Sequence, residues 1–217
     1  FTIHNYSGKI VGFAGRSLTN DKKSPKYINT PESEVYNKSQ VLYGLHLAKN
    51  SIRKADECLL VEGYTDVISM VQAGIENVAA SSGTALTQGQ IRLIKRLTQN
   101  ISILYDGDAA GVKAALRGVD LVLEEDMNVK VVLLPEEHDP DSYVKEVGAT
   151  AFREYINEKA QDFILFKAGV LMKDAGKDPV ARANAIKAIT ESIGLIPDMI
   201  KQQVYIRECS NMFDMDE

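Results

Sequence analysis

The acidic side chains that could do chemistry in this chain fall at the ends of short apolar runs. Glu62-Gly63 closes Leu59-Leu60-Val61, with Asp66 one turn into the segment that follows. Asp106-Gly107-Asp108 closes the run from Ile101 to Tyr105, and Asp139-Pro140-Asp141 lies just past Val129 to Leu134. Each cluster alone has an ordinary use. Asp108 before Ala109-Ala110-Gly111 is a good helix N-cap, Asp106 suits a turn, Glu62 suits a helix N-terminus, and Asp139 and Asp141 can shape a loop. Three such clusters at successive strand ends read differently, because gathered carboxylates are costly unless a cation neutralises them. Oxygen donors without His or Cys favour Mg²⁺, with Mn²⁺ able to substitute. Mg²⁺ held by a few carboxylates keeps positions open for phosphate oxygens, the arrangement of phosphoryl and nucleotidyl transfer.

The elements that must position these groups follow from apolar patterning. Phe1 to His4 and Ile10 to Gly15 flank Asn5-Tyr6-Ser7-Gly8, a hairpin signal. Residues 17 to 33 are polar, contain Pro25 and Pro31, and read as an extended loop. Leu42, Leu45, Ala48 and Ile52 share one face of a helix over 40–55. Strand candidates at 59–61, 77–80, 101–105 and 129–134 then alternate with helices at 67–71, after the capping box Thr87-x-x-Gln90, and at 109–124. That alternation predicts a mostly parallel α/β sheet flanked by helices, whose C-terminal strand ends share one edge where sites form. Beyond Ala149 no strand pattern remains. Helical periodicity at 151–172, 180–193 and 198–213, broken at Gly176/Pro179 and Pro197, predicts a helical bundle.

The chain has 217 residues, a formal net charge of −5 and 25% charged residues, the profile of an ordinary globular protein rather than a disordered or fibrous one. No run approaches the length of a membrane span. Cys58 and Cys209 lack metal-ligand spacing, and a reducing, cytoplasmic setting is the simplest expectation. Charge is unevenly spread: residues 1–54 balance to +6, 55–147 to −9 and 148–217 to −2. A basic segment beside an acidic one suits a polyanion meeting metal cations, although the same pattern also serves two solvated surfaces. His4, His46 and His138 share no ligand spacing and are expected to be structural. The first residue is Phe within a strand-like run, which predicts a piece of a longer protein.

Three motifs together resemble a known family: Val61-Glu62-Gly63-Tyr64-Thr65-Asp66-Val67, Ser82-Gly83-Thr84-Ala85-Leu86-Thr87, and Tyr105-Asp106-Gly107-Asp108-Ala109-Ala110-Gly111. They look like the Toprim domain of bacterial replicative DNA primases, and the likeness continues through Leu134-Pro135 and Asp139-Pro140-Asp141. Upstream, Gly15-Arg16, Pro25-Lys26-Tyr27-Ile28-Asn29-Thr30-Pro31-Glu32 and Lys38 with Leu42-Tyr43-Gly44 resemble the primase segment that precedes Toprim. The resemblance covers roughly residues 1–147, and the helical tail fits by position only.

The resemblance implies a partial N-terminal α+β subdomain of the polymerase core over 1–54, a Toprim catalytic domain over 55–147 and a helical subdomain over 148–217. It implies a nucleotidyltransferase of the primosome that copies single-stranded DNA into a short RNA primer from ribonucleoside triphosphates. Glu62, Asp106 and Asp108 would be catalytic, and with Asp139 and Asp141 would hold Mg²⁺, supported by Asp66. Arg16, Lys26, Tyr27, Asn29 and Lys38 would engage nucleotide or template, Arg as a fork for phosphate and Tyr as a stacking face. Zinc is expected only in an N-terminal module that this chain lacks, and the replicative helicase through a C-terminal domain that it does not reach. Reduced activity of the segment alone is part of the same expectation. Two rivals stay open: another Toprim chemistry, nuclease or topoisomerase, and a non-catalytic DNA-binding Toprim module.

Overall fold

A computed structural model describes residues 1–18, 27–82 and 85–214. The expected hairpin is present, with β1 (Thr2–His4) antiparallel to β2 (Ile10–Arg16). Its turn is closed by the Asn5 side chain, which accepts from the Ser7 and Lys9 amides at 3.0 Å, and by Gly8 in the left-handed region at φ 87°. Part of the segment read as loop is instead a third strand, β3 (Tyr27–Asn29). It pairs antiparallel with β2 so that Arg16 faces Tyr27 and Ala14 faces Asn29. A three-residue strand flanked by prolines carries too short an alternation to show in the sequence.

A 3₁₀ turn (Lys38–Gln40) leads to α1 (Leu45–Ala55), and then to the larger sheet. That sheet holds β4 (Cys58–Val61), β5 (Val78–Ala80), β6 (Asn100–Tyr105) and β7 (Asn128–Leu133), all parallel, in the order β5-β4-β6-β7. The connecting helices are α2 (Tyr64–Gln72), α3 (Gln88–Lys95), α4 (Ala109–Gly118) and α5 (Asp120–Glu124). The single helix expected over 109–124 is thus two, broken beside Gly118, a poor helix former.

Alternate strand residues feed opposite faces of this sheet, as the two-residue period requires. Leu59, Val61, Leu104 and Val132 join one core with Val67 and Met70 of α2, while Leu60, Ile103 and Val131 join the other with Ile91 and Ile94 of α3. Cys58 and Cys209 are both buried as free thiols, and burial pushes the Cys58 thiol well up.

After β7 comes α6 (Pro140–Lys159), capped by Asp139 with Pro140 at its first position and interrupted at Gly148, whose φ of 78° is non-helical. Its second half puts Phe152 and Ile156 into the same core as α2. A two-residue edge strand, β8 (Gln161–Asp162), then runs antiparallel to β7, where only helix was expected. It divides the helix read over 151–172, and α7 (Phe163–Ala175) starts behind it. The chain ends in α8 (Pro179–Gly194) and α9 (Met199–Phe213). Phe163, Ile189, Ile193, Cys209 and Phe213 share one core with the sheet, so these three helices continue the α/β body. Among the described residues no helix is long and apolar enough to cross a membrane.

Candidate active site

Parallel pairing places the carboxylates. Leu60 lies opposite Ile103 in β4 and β6, so Glu62 and Asp106 leave the ends of adjacent strands. Tyr105 lies opposite Leu133, which brings the Asp139 cap of α6 to the same edge. The turn after β6 is tight. A Cβ at Gly107 would run into the Leu134 and Pro135 carbonyls, and one at Gly111 into the Asp106 carbonyl. Glycine at 107 is therefore a condition for the Asp106 end of β6 to lie against the β7 loop, and glycine at 111 for α4 to start against the Asp106 backbone.

A cleft of about 290 Å³ opens at this edge. Glu62, Asp66, Asp106, Asp139 and Asp141 line it from the large sheet, and Arg16, Tyr27 and Asn29 face them from β2 and β3. The Arg16 guanidinium lies 5.6 Å from the centre of the Tyr27 ring, a cation–π distance. Two expected residues are not in the lining. Asp108 accepts the Gly111 amide at 2.7 Å as the N-cap of α4. Lys38 sits in the 3₁₀ turn, which Gln90 holds by donating to the Lys38 and Val41 carbonyls at 3.0 and 2.9 Å. Lys26, with the Gly83-Thr84 pair of the second motif, lies outside the described residues.

The carboxylates feel one another. Burial pushes Asp66 up to about 6, the Gly63 amide pulls it back, and the charges of Asp139, Asp106 and Asp141 raise it further. Asp106 keeps an exposed face, yet the protein around it and the charges of Glu62, Asp139 and Asp108 bring it also to about 6. Asp141 goes the other way. Burial raises it, but hydrogen bonds from Lys145 and Ser69, with the charge of Arg16, hold it below the ordinary range. Asp66 accepts the Gly63 amide at 2.9 Å, Asp139 accepts the Ser142 amide at 2.7 Å, and Asp141 pairs with Lys145. Among the described residues no three His, Cys, Asp or Glu side chains form a ready metal-holding group. The five carboxylates share an edge as neighbours, three of them separately anchored, since like charges without a counter-ion gain nothing by closing up.

Sequence reading passed over Tyr64, which also lines the cleft. It is 3% exposed, stacks on Phe1 at 4.8 Å, meets Tyr43 edge-on at 4.8 Å, and donates to Asn29 Oδ1 at 3.0 Å. Its place between Gly63 and Asp66 was visible in the motif, but a contact across 35 residues leaves no local signal.

Comparison with known proteins identifies related sequences and folds. A Toprim-like family model matches residues 59–144, and a model of the DNA primase catalytic core N-terminal domain matches residues 1–49. A third, the DnaB-helicase binding domain of primase, matches residues 171–217, which corrects the expectation that the chain stops short of any such domain. A DNA primase of Staphylococcus aureus is 36% identical over 215 residues, covering 99% of this chain and 35% of that protein. The chain thus spans about a third of the length of the curated relatives it matches. A DNA primase domain from Pseudomonas aeruginosa superposes with a TM-score of 0.90 at 36% identity, over 100% of this chain and 68% of that one. A DnaG primase catalytic domain solved with single-stranded DNA gives a TM-score of 0.87 at 33% identity, over 97% of this chain and 68% of that one. With a shared fold along its whole length and 36% identity to a solved DNA primase domain of which it covers 68%, the chain belongs to the bacterial DnaG-type DNA primase family.

Proposed function

We propose that this chain is a fragment of the catalytic core of a primase, a metal-dependent DNA-directed RNA polymerase that makes RNA primers on single-stranded DNA for replication in the bacterial cytoplasm. The observation that carries this reading is the cleft itself, in which carboxylates from one sheet face a cationic and aromatic wall from the other. The reaction joins the 3′-hydroxyl oxygen of a growing primer to the α-phosphorus of a ribonucleoside triphosphate and breaks the bond to pyrophosphate.

The donor chemistry fits a hard divalent cation. The groups at this edge are oxygen donors, and Mg²⁺ asks for only one or two carboxylates beside water and phosphate oxygens, so no closed protein shell is needed. Glu62 and Asp106 would hold it, with Asp108 and Asp139 beside them. When bound, Mg²⁺, or Mn²⁺ in its place, supplies Lewis acidity toward phosphate oxygens and offsets their charge. Asp141, engaged by Ser69 and Lys145, and Asp66, engaged by Gly63, hold the loop and turn that carry the others. Arg16 offers two parallel N–H groups to a phosphate, Tyr27 a stacking face for a base, and Asn29 an amide beside them. Lys26 and Lys38 add charge toward phosphates from the same segment.

The three-part division at 54/55 and 147/148 is part of this reading: nucleotide and template contacts first, carboxylates second, helices third. The relative bound to single-stranded DNA supports a template partner, and the match over 171–217 supports docking of the replicative helicase on the helical part.

The test is incorporation of labelled ribonucleotides on a single-stranded DNA template, with and without Mg²⁺, for the parent protein and for Glu62→Gln and Asp106→Asn. Metal-dependent RNA synthesis that both variants lose is the expected result. Cleavage or relaxation of DNA without RNA synthesis would favour the nuclease or topoisomerase chemistries, and DNA binding indifferent to both substitutions would favour a non-catalytic module.

A further inference from the structure

We infer that Gln90 is a positioning residue, which ties the Lys38 turn to the first turn of α3 and so fixes where the Lys38 ammonium can meet a phosphate. The inference rests on the reading above that Lys38 adds charge toward phosphates. Gln90 is fully buried, and each polar atom of its amide has a partner. Nε2 donates to the Lys38 and Val41 carbonyls at 3.0 and 2.9 Å, and Oε1 accepts the Thr87 amide at 3.1 Å. A backbone carbonyl only accepts and a backbone N–H only donates, so this set of partners fits one orientation of the amide. Turned over, Oε1 would face two carbonyls and Nε2 would face an N–H. The Thr87 hydroxyl adds a bond to the Ser39 carbonyl at 2.7 Å, between the other two. Gly89 completes the contact, because a Cβ there would run into the Ser39 carbonyl and the Gln40 side chain.

These bonds place the turn between its buried flanks, Tyr36 and Leu42. None of Lys38, Ser39 and Gln40 is itself buried, so none of the three anchors the turn by packing. The other side of the contact is rigid: Ile91 and Ile94 of α3, beside Gln90, are fully buried in the core on one face of the sheet. The contact spans 52 residues of sequence and joins the basic N-terminal segment to the carboxylate-bearing body. A side chain wanted here for packing alone would be better apolar, since a polar group is costly to bury unless it is bonded. With its carbonyl pinned, Lys38 moves its charge only as far as its own side chain reaches. Less freedom is then lost when a phosphate binds. That phosphate belongs to the incoming triphosphate or to the DNA strand, and the two sources can be told apart.

The test uses Gln90→Met, which keeps the length of the side chain and removes the amide. Hydrogen exchange at Ser39, Gln40 and Val41 should quicken about 10-fold or more, and by more than at β6 in the same molecule. Kd for a single-stranded oligonucleotide at fixed salt, by fluorescence anisotropy, or KM for ribonucleoside triphosphate should rise about 3- to 10-fold, with kcat within about twofold. A rise in Kd assigns the phosphate to the strand, and a rise in KM assigns it to the triphosphate. Lys38→Ala should raise the same constant. In that background Gln90→Met should add nothing further, because Gln90 acts through Lys38. If Gln90→Met does not fold, Thr87→Val, which removes the hydroxyl that holds Ser39, should give the same pattern at about 2- to 5-fold. Unchanged exchange at the turn, or effects that multiply with those of Lys38→Ala, would overturn the inference. So would a Lys38→Ala that weakens binding beside a Gln90→Met that does not. If Lys38→Ala itself leaves both constants as they are, the reading of Lys38 fails, and Gln90 is left as a structural tie alone.

Discussion

At the helical end, buried charge meets a partner. Lys167 is 8% exposed, donates to Ser192 Oγ at 2.6 Å, and has Asp120 at 3.6 Å, which in turn accepts from Ser192 at 2.8 Å. Tyr205 of α9 donates to Asp162, the cap of α7, at 2.6 Å. At the cleft, Asp66 is just as buried at 7%, but the charges around it are Asp139, Asp106 and Asp141. One end uses polar groups to pin helices together, and the other spends stability on holding like charges side by side. Such an arrangement persists where something outside the chain completes it, and in the proposed function that is a divalent cation with a polyphosphate.

The sharpest way to break this contrast is to neutralise the cleft. Asp106→Asn or Glu62→Gln should cut primer synthesis by on the order of 100-fold or more, about 2.7 kcal/mol of transition-state stabilisation. The thermal midpoint of the metal-free protein should not fall in either variant. A variant that keeps near-parent synthesis would show that the clustered charge has another purpose. Gly107→Ala tests the same edge through its backbone. A Cβ there meets two carbonyl groups that cannot swing aside, so urea unfolding should show a loss of about 3 kcal/mol.

The helical end should answer in the opposite way. Asp120→Ala leaves Lys167 with Ser192 and the face of Phe163 and should cost about 1–3 kcal/mol, reduced from the fully buried case because Asp120 is partly exposed. Lys167→Met, which keeps the volume and removes the charge, should stay within about 1 kcal/mol of the parent. Neither should alter synthesis per folded molecule. If Asp120→Ala proves neutral in urea, pairing is not what allows Lys167 to be buried.

Legibility from sequence followed the range of the interaction. Glu62, Asp106 and Asp139 could be placed on one edge because parallel strands impose that geometry and their apolar runs are periodic. The hairpin turn and the Thr87–Gln90 capping box, seen in the structure as reciprocal bonds at 3.1 and 3.3 Å, were readable because both are local. β3 and β8 were not, since strands of three and two residues take their hydrogen bonds from neighbours rather than from patterning. The residues of α6 beyond Gly148 read as bundle because their periodicity is helical, but Phe152 and Ile156 complete the face of the sheet that α2 covers. Among the site residues, the N-cap reading of Asp108 was already available from Asp108-Ala109-Ala110-Gly111, whereas nothing in the sequence told that Lys38 would lie outside the cleft lining, in a turn bonded to a buried Gln90. Tyr64 lay inside the quoted motif, yet its bond to Asn29 depends on a strand that the sequence did not reveal.

The smallest effect expected at the cleft concerns Asp66 and follows from proton linkage. Its carboxyl is raised from an ordinary 3.8 to about 6, so between those values the folded chain holds a proton that the unfolded chain has released. Stability must then fall as pH rises through that window, and the cost is fully present above about 6. Asp66→Asn keeps an oxygen to accept the Gly63 amide and removes the charge. It should therefore stabilise the metal-free protein by about 1–2 kcal/mol at pH 7.5, below the limit of about 3 kcal/mol set by the full shift. At pH 4 the two proteins should unfold at nearly the same urea concentration. Mg²⁺ should raise the melting temperature of the parent at pH 7.5 more than that of Asp66→Asn, because part of the repulsion it relieves is already gone. Equal stabilisation of the variant at both pH values would trace the gain to packing, and would remove Asp66 from the charges that set the cleft apart from the helical end.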